Sequence, residues 1–363
     1  MSLTPASVGD PVGPPATSPI VGVAGRTATE DGACEACCGT GPFERFDLRE
    51  MLFGTREHFP YRRCGSCGLL RIEQVPKDLA RHYPPEYYGG AAPTAGPQRG
   101  WLGRRADRAR NAAALFGSER IVARALRAWT SAAPHDLRMT APVVRRAGLR
   151  SFDDPILDVG CGRIPGQLLR LGRLGFRNLL GVDPFLEGDS EVDGIALRRR
   201  SIHEVDGTFQ FITMHHSFEH VPDPRETLRS AARLLRPDGV LLIRTPVMGT
   251  WFWETFGTSW WELDPPRHLF VFSQPSLERL AGDVGLALRD VVWDSTPQEI
   301  IASEQIRRDI AWREPGSWNE HPPGVFDEDF EAQAKAKVRE LNAEGRAGRA
   351  GFYLGRAGRG SGG

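Results

Sequence analysis

The chain has 363 residues, of which 40% are hydrophobic, and its 46 Lys and Arg residues are balanced by 46 Asp and Glu residues. This length allows one large domain and a small one, and the balanced charge gives no electrostatic reason to expect a nucleic acid or an anionic membrane as a partner. No run of the sequence approaches the roughly 18 apolar residues of a membrane span. The first residues also lack the basic start and apolar core of a signal peptide, so we expect a cytoplasmic protein.

Residues 1–32 are rich in Pro, Gly, Ala, Ser and Thr and are predicted to be a disordered leader, because they offer little apolar surface to offset the cost of ordering. Residues 33–89 contain two C-x-x-C pairs, which supply the candidate metal ligands Cys34, Cys37, Cys64 and Cys67. In a reducing compartment such pairs indicate metal binding in preference to disulfide formation. Four thiolates complete a closed tetrahedral zinc site, and a fold of under about 60 residues needs such an ion for stability. The segment is therefore predicted to be a zinc ribbon with structural Zn²⁺.

The identity of one zinc ligand stays open at this point. Cys38 can replace Cys37, since Cys38 is the one followed directly by a glycine, Gly39. A closed site of either composition holds structure and does not catalyse. The aromatic run that follows, residues 82–88, is expected to pack between domains, with a contribution to a substrate pocket as the alternative.

Residues 90–150 are predicted to be a linker followed by amphipathic helices. Residues 90–100 are rich in Gly, Pro and Ala, and residues 101–133 place apolar side chains such as Leu115 and Leu126 at rough helical spacing. The arginines of this segment are expected to form a solvated face and not a nucleic-acid patch.

The most informative stretch is Ile-Leu-Asp-Val-Gly-Cys-Gly at residues 156–162. An apolar run typical of a buried parallel strand ends in two glycines, and leucines at helical spacing follow. Gly160 and Gly162 allow positive φ and let a ligand lie directly against the backbone. A strand, a glycine turn and a helix in this order form the nucleotide cradle of an open α/β sheet.

The residues around the glycines indicate which nucleotide is bound. The glycines at positions 160, 162 and 166 do not match the G-x-G-x-x-G spacing of a dinucleotide site. Asp158 lies in the turn, where a carboxylate accepts hydrogen bonds from a cationic amine and repels a pyrophosphate. Asp183 ends a second strand about 20 residues past the glycines, the separation at which a carboxylate meets ribose hydroxyls. A cradle with acids for an amine and a ribose suggests S-adenosylmethionine.

Residues 151–295 resemble class I S-adenosylmethionine-dependent methyltransferases. Residues 157–162 match the first motif of that family and Gly-Val-Asp-Pro at 181–184 matches the second, while residues 219–224 and 235–239 match later ones. The chain departs from the first motif in having Ile164 where the family usually has a third glycine. The resemblance implies a Rossmann-like, doubly wound α/β fold with a seven-stranded sheet whose last strand is antiparallel. It also implies a domain over residues 151–357 with a helical insertion at 297–343, before a disordered tail at 358–363.

The resemblance, together with the strand ends described above, gives a set of predicted cofactor-binding residues. They are Asp158, Gly160, Cys161, Gly162, Asp183, Pro184, Ser201, Ile202 and His215.

A hydroxyl acceptor needs a general base with a pKa near the working pH, which favours histidine. The predicted catalytic residues are His268, His216 and Glu219, with His268 as the first choice for the base. A structural role for His268, in which it bonds a loop carbonyl, is the alternative. Whether Glu219 holds the acceptor or its neighbour His220 stays open.

The predicted function is transfer of a methyl group from S-adenosylmethionine to a small-molecule acceptor, with O- or C-methylation of a sugar or secondary metabolite favoured. The zinc ribbon resembles those that precede bacterial methyltransferases acting on such molecules. Four tryptophans within residues 251–261 could wall the acceptor site or pack in the core. The alternative functions are a zinc-ribbon nucleic-acid-binding protein, a nicotinamide oxidoreductase, and a catalytically degenerate homologue that binds the cofactor without turnover.

Overall fold

The computed structural model describes residues 32–84, 101–116, 135–320 and 324–358. The predicted leader at 1–32 therefore lies almost entirely outside the described residues, as do the linker at 85–100, residues 117–134 of the predicted helical segment, and residues 359–363 of the predicted tail. Within the described part of the chain, no helix is long and apolar enough to cross a membrane.

Within the described residues, twelve strands form two sheets. In chain order they are β1 Phe43–Arg49, β2 His58–Cys64, β3 Leu70–Ile72, β4 Ile156–Val159, β5 Leu179–Val182, β6 Ser190–Val192, β7 Ile195–Arg198, β8 Phe209–His215, β9 Leu235–Pro246, β10 Phe270–Val271, β11 Leu286–Trp293 and β12 Arg349–Arg356. The described helices are α1 Trp101–Phe116, α2 His135–Arg146, α3 Gly166–Leu174, α4 Pro224–Leu234, α5 Trp251–Phe256, α6 Gln274–Gly282, α7 Pro297–Arg307 and α8 Glu328–Glu344.

The large sheet has the strand order β11-β12-β9-β8-β4-β5-β7-β6. The central strands β9, β8, β4, β5 and β7 pair in parallel, and β12 is antiparallel to both of its neighbours. This is the predicted Rossmann-like, doubly wound sheet with an antiparallel last strand. An eighth strand that was not predicted, β6, forms a hairpin with β7 at the edge.

The order of the strands determines where a ligand binds. From β4 the chain moves to β5 on one side and later to β8 on the other, so the strand order reverses at β4. Ligands of open α/β sheets bind outside the carboxyl ends of the strands at such a switch point. Helix α4 follows β8 and begins at Pro224, because the side chain of Asp223 accepts a hydrogen bond from the Glu226 N–H, 2.9 Å away, and Pro224 occupies the first turn.

Two local expectations differ from the structure. Residues 236–239 read Arg-Pro-Asp-Gly, which predicts a turn, but they lie within β9, whose pairing with β8 shifts register between Phe209 and Phe211. The additional residues of β9 between Leu235 and Val240 are accommodated as an irregularity of its pairing with β8, so β9 continues through them. Helix α2 was not predicted as a separate element, and Pro142 lies inside it.

The small sheet is completed by a strand of the main fold. Its order is β1-β2-β3-β10, so its last strand comes from the loop between α5 and α6 of the main fold. One hydrophobic cluster joins Leu48, Tyr61 and Leu70 of the small sheet with Phe218 and Phe272 of the main fold. The cysteine-rich part and the main fold therefore share a core.

A buried ion network fastens the same two parts together. Arg267 is 0% exposed, and its Nη2 lies 2.7 Å from Oε1 of Glu50 and 2.5 Å from Oδ1 of Asp264. Nη1 of Arg267 donates to the carbonyl of His82 at 3.1 Å. Glu50 also accepts three backbone N–H bonds at 3.0 Å, from Leu52, Phe53 and Thr55. Every charge in this network has a partner, which is the condition for keeping ions in a protein interior.

We predict that Arg267→Met lowers the free energy of unfolding by about 3–5 kcal/mol, because removal of one member leaves the other buried charges uncompensated. Chemical denaturation of the full chain measures this change. The matched control is Arg229→Met, at an exposed ion pair with Glu226, for which we expect a change below about 1 kcal/mol. Equal effects of the two variants would contradict a structural role for the network.

Candidate functional site

The glycine turn after β4 lies at the predicted switch point. Gly160 and Gly162 have φ values of +73° and +63°, and the Gly160 N–H donates to the carbonyl of Val182 at 2.8 Å. Oγ of Ser217, which follows β8, donates to the carbonyl of Val159 at 2.8 Å. A Cβ added at Gly160 would lie only 2.4 Å from Cβ of Ser217. Position 160 therefore requires glycine for both its backbone conformation and its space.

The two predicted acids lie beside this turn and are buried. Asp158 and Asp183 are 5% and 7% exposed. Asp183 accepts hydrogen bonds from the N–H groups of Gly162 at 3.0 Å and Phe185 at 2.8 Å. Burial, and then the charge of Asp183, raises the pKa of Asp158 to about 7. Neither carboxylate forms an ion pair with any described residue, because the nearby Arg163, Arg198 and Arg200 pair instead with Glu187 and Asp189.

The remaining predicted cofactor residues are distributed around the turn. Cys161 is buried, and its Sγ lies 3.5 Å from the carbonyl of Gly162, while Pro184 is exposed directly after Asp183. Ser201 and Ile202 follow β7, the neighbour of β5. Ile202 is buried, but the Ser201 hydroxyl donates to Glu204 at 2.8 Å. Ser201 therefore caps its own turn, which leaves less of its hydroxyl available to a ligand.

A cavity of about 360 Å³ opens near this turn. It is lined by Arg163, Leu197 and residues 186–190, which belong to the loop after Asp183. Arg163 is paired with Glu187 across it at 2.9 Å.

His215 and His216 end β8 and have different environments. Burial, followed by the charge of Arg244, lowers the pKa of His215 to about 3, and its Nε2 has no hydrogen-bond partner among the described residues. His216 has a φ of +48°, and its Nδ1 lies 3.2 Å from Oε1 of Glu219. Arg244 donates to Nε2 of His216 and, at 2.5 Å, to Asp294. His216 is therefore fixed between a guanidinium and a carboxylate.

The predicted catalytic residues His268 and Glu219 are brought together, and His220 joins them. Nε2 of His268 lies 3.9 Å from Oε1 of Glu219, and the ring of His268 packs edge-on against that of His220 at 4.8 Å. Glu219 is fully buried, and burial alone raises its pKa, but His216, His268 and His220 outweigh burial and lower it to about 2. Burial lowers the pKa of His268 to about 4, and its Nδ1 lies 2.8 Å from the carbonyl of Glu262. His268 thus makes the loop-carbonyl contact that a structural role requires.

The N-terminal part of the chain contacts this cluster directly. The Tyr61 hydroxyl of β2 donates to the carbonyl of His268 at 2.7 Å, and the Tyr83 hydroxyl lies 3.2 Å from Nδ1 of His220. The Tyr83 ring also stacks on Phe185, the residue two positions after Asp183, at 6.4 Å. The first two residues of the aromatic run 82–88 therefore lie between the parts of the fold and next to the site, whereas residues 85–88 are outside the described residues.

The tryptophan-rich stretch packs mainly in the core. Phe252 and Trp260 are 0% and 1% exposed, and their rings lie 6.3 Å apart. Trp253 packs edge-on against Phe46 of β1 at 5.0 Å. This stretch joins the two sheets by packing, which is the second of the two roles considered for it.

The four predicted zinc ligands converge on one point. Sγ of Cys34 lies 3.5 Å from that of Cys67, Sγ of Cys37 lies 3.6 Å from that of Cys64, and all four sulfurs are within 4.8 Å of one another. A Zn–S bond of about 2.3 Å in a tetrahedron separates the sulfurs by roughly 3.8 Å, so the cluster has the size of a zinc site.

The alternative ligand Cys38 lies outside the cluster and is exposed. Cys38 has a φ of +57° and Gly68 a φ of +77°, so each C-x-x-C turn is followed by one residue in the left-handed conformation. The two turns therefore use equivalent positions, with Cys38 in the place of Gly68.

Sequence reasoning missed Arg244, Ser217 and Tyr61. Arg244 could have been found from its position, since it is the charged residue at the carboxyl end of an apolar strand next to β8. Ser217 and Tyr61 carry no such signal, because their contacts with Val159 and His268 cross 58 and 207 positions of the chain.

Several known proteins that are similar to parts of this chain are methyltransferases. A family model described as a methyltransferase domain matches residues 119–291. Ubiquinone biosynthesis O-methyltransferases from Xanthomonas oryzae pv. oryzae and Colwellia psychrerythraea are 34% identical over 103 residues and 31% identical over 108 residues; these alignments cover 25% and 26% of this chain and 42% of each relative. A putative sarcosine dimethylglycine methyltransferase structure from Galdieria sulphuraria is 18% identical with a TM-score of 0.39, covering 61% of this chain and 84% of that one.

Residues 119–291 therefore match a methyltransferase domain, and the predicted resemblance to methyltransferases is confirmed over this part of the chain. The chain spans about 42% of the length of the curated relatives that it matches.

The raised pKa of Asp158 predicts a pH effect on stability. The carboxyl group of Asp158 binds its proton more tightly in the folded protein, where its pKa is about 7, than in the unfolded chain, where the ordinary value of 3.8 applies. Its contribution to the free energy of unfolding is therefore fully present below pH 3.8 and is lost as the pH rises to about 7. We expect Asp158→Asn to flatten the decline of the melting temperature over this range. The control Asp206→Asn, which removes an exposed carboxylate, should show the same slope of melting temperature against pH as the wild-type protein. Identical slopes for the wild-type protein and both variants would contradict the raised pKa of Asp158.

Proposed function

We propose that the protein is an S-adenosylmethionine-dependent methyltransferase that acts on a small-molecule acceptor. The observation that carries this proposal is the pair of buried carboxylates, Asp158 and Asp183, beside a glycine turn at the switch point of the sheet. S-Adenosylmethionine supplies an electrophilic methyl group when it is bound. Its positive charge fits an edge where two carboxylates lack a cationic partner among the described residues.

The residues of the turn would hold the cofactor as follows. Asp183 would accept hydrogen bonds from ribose hydroxyls, since each of its oxygens has one backbone donor and a further lone pair. Asp158 would face the methionine end, where an ionised carboxylate favours the ammonium group. Gly160 and Gly162 would leave the backbone open to close approach, and Ile202 would pack against the adenine.

The acceptor side would be formed by His216, Glu219 and His268. These residues follow β8 or lie in the loop that packs on it, at the same edge as the glycine turn. Methyl transfer requires little covalent chemistry from the protein, so alignment of the acceptor and exclusion of water are its main contributions. His268 is a weak base in this environment because its pKa is about 4. We therefore propose that these three residues orient the acceptor and that abstraction of its proton is not their main role.

O-Methylation is the favoured reaction. The relatives are named as O-methyltransferases of ubiquinone biosynthesis, which supports a hydroxyl acceptor on a small molecule. A sugar or secondary metabolite with a free hydroxyl is the acceptor class that we propose.

We also propose that Cys34, Cys37, Cys64 and Cys67 hold a structural zinc ion. All four ligand positions would be filled by thiolates, so no position is left for a substrate. The ion would act by stabilising the small sheet, and through β10 it would stabilise the loop that carries His268.

Cofactor binding tests the main proposal. We expect Asp183→Ala to weaken S-adenosylmethionine binding by about 1–3 kcal/mol, through loss of charge-assisted hydrogen bonds to the ribose. Titration calorimetry measures the affinity, and Glu191→Ala, at an exposed position of β6, is the control. Unchanged affinity in Asp183→Ala would remove Asp183 from the site. Stabilisation of the wild-type protein by NADH, and not by S-adenosylmethionine or S-adenosylhomocysteine, would overturn the methyltransferase proposal.

Zinc binding has its own test. Elemental analysis should show that Cys37→Ser loses one zinc ion per chain, whereas Cys38→Ser, at the exposed neighbour, retains it. Because the two sheets share a core, we expect the loss to raise hydrogen exchange in residues 264–273 as well as in residues 34–72. Equal zinc contents in the two variants would contradict the ligand set. Faster exchange confined to residues 34–72 would contradict the structural link to the His268 loop.

A further inference from the structure

A second group of metal-ligating side chains lies away from the cysteines. One ligand atom from each of Glu219, His220 and His268 falls within 4.8 Å of the others. Glu219 is 0% exposed, and neither of its carboxylate oxygens has a hydrogen-bond partner among the described residues. Nδ1 of His216 is 3.2 Å from Oε1, but the two groups are not aligned for a hydrogen bond. A buried carboxylate without donors is costly, so its oxygens point to a missing positive partner.

The two histidines present lone pairs to this carboxylate. Nδ1 of His268 lies 2.8 Å from the carbonyl of Glu262, and Nδ1 of His220 lies 2.8 Å from the carbonyl of Arg267. A carbonyl only accepts, so each Nδ1 carries the hydrogen and each Nε2 is left as an acceptor. The two Nε2 atoms and the buried carboxylate of Glu219 are thus available as ligands. Asp264 Oδ2 is also 4.0 Å from Nε2 of His268, but both oxygens of Asp264 accept from Arg267.

We propose that Glu219, His220 and His268 bind a divalent cation. Two imidazole nitrogens and one carboxylate are a facial ligand set for Fe²⁺, Mn²⁺, Zn²⁺ or Co²⁺, and leave further coordination positions open. The bonds from each Nδ1–H to a backbone carbonyl are the contacts that fix the tautomer and orientation of ligating histidines. Tyr61 and Arg267 hold the backbone and the loop of His268 from the side of the small sheet.

The position of the cation gives it a use in the proposed reaction, and this part rests on the proposed function. Glu219 lies two residues after Ser217, whose hydroxyl bonds the glycine turn, so the cation would lie on the acceptor side of the cofactor site. There it would bind the oxygens of a hydroxyl acceptor and lower the pKa of the attacking hydroxyl. His268 would then serve as a metal ligand and not as the general base.

Manganese titration of the full chain, followed by electron paramagnetic resonance, tests the cation site. Mn²⁺ prefers carboxylate and imidazole ligands over thiolates, so the four-cysteine site contributes little to its binding. We expect one Mn²⁺ per wild-type chain, and affinity at least about tenfold lower in Glu219→Gln and in His268→Asn. His58→Asn is the control, since this exposed histidine of β2 is paired with Asp47 of β1.

Three outcomes decide the proposal. Absence of Mn²⁺, Co²⁺ and Zn²⁺ binding beyond the cysteine site in the wild-type chain overturns it, as does equal affinity in Glu219→Gln and His58→Asn. If Glu219→Gln and His268→Asn fail to fold, His220→Asn, at a partly exposed residue, replaces them and must show the same loss. Calorimetry with S-adenosylmethionine on the same samples separates the two proposals: cofactor binding without cation binding overturns only the cation site, and the reverse overturns only the methyltransferase function.

Discussion

The buried ion network of Arg267 with Glu50 and Asp264 is the interaction on which the arrangement of the site depends. A fully desolvated guanidinium is tolerated only where its donors are matched, and here the matching groups come from both the N-terminal part and the main fold. Because His268 is the next residue in the chain, the same contacts determine where its ring lies. The loop at 264–273 is therefore held from two sides and is part of the framework of the site.

Electrostatics divides the carboxyl edge of the large sheet into two halves. On the half of β4 and β5, Asp158 and Asp183 form a buried anionic pair beside the glycine turn, and their mutual repulsion contributes to the raised pKa of Asp158. On the half of β8, Glu219 is fully buried beside His216 and His268. The two halves meet at Ser217, which touches the turn and precedes Glu219 by two residues. A cationic cofactor and a metal-bound acceptor would thus lie next to each other.

The cysteine cluster acts at a distance through packing. Its sheet continues into β10, and the hydroxyl of Ser273 donates to the carbonyl of Cys67. Tyr61 of the same sheet bonds the His268 carbonyl, and Tyr83 reaches both His220 and Phe185. A closed four-thiolate site there would have no catalytic position of its own, but it would stabilise the elements that carry His220 and His268. The shared packing thus gives a physical reason for the cysteine-rich segment and the methyltransferase domain to occur in one chain.

The sequence by itself determined the glycine turn with Asp158 and Asp183 and the four cysteines, because each depends on residues close together in the chain, and its resemblance to methyltransferases implied the doubly wound sheet. Alternating strands and helices restrict the sheet to few topologies, and a C-x-x-C turn is a local structure. The sequence left Cys37 and Cys38 as alternatives, and the conformation of the two turns separated them. Only the tertiary structure decided that β10 completes the small sheet, that Arg244 fixes His216, and that Glu219, His220 and His268 converge. These contacts join segments tens to hundreds of residues apart, and their energy comes from desolvation and charge pairing that no local pattern encodes.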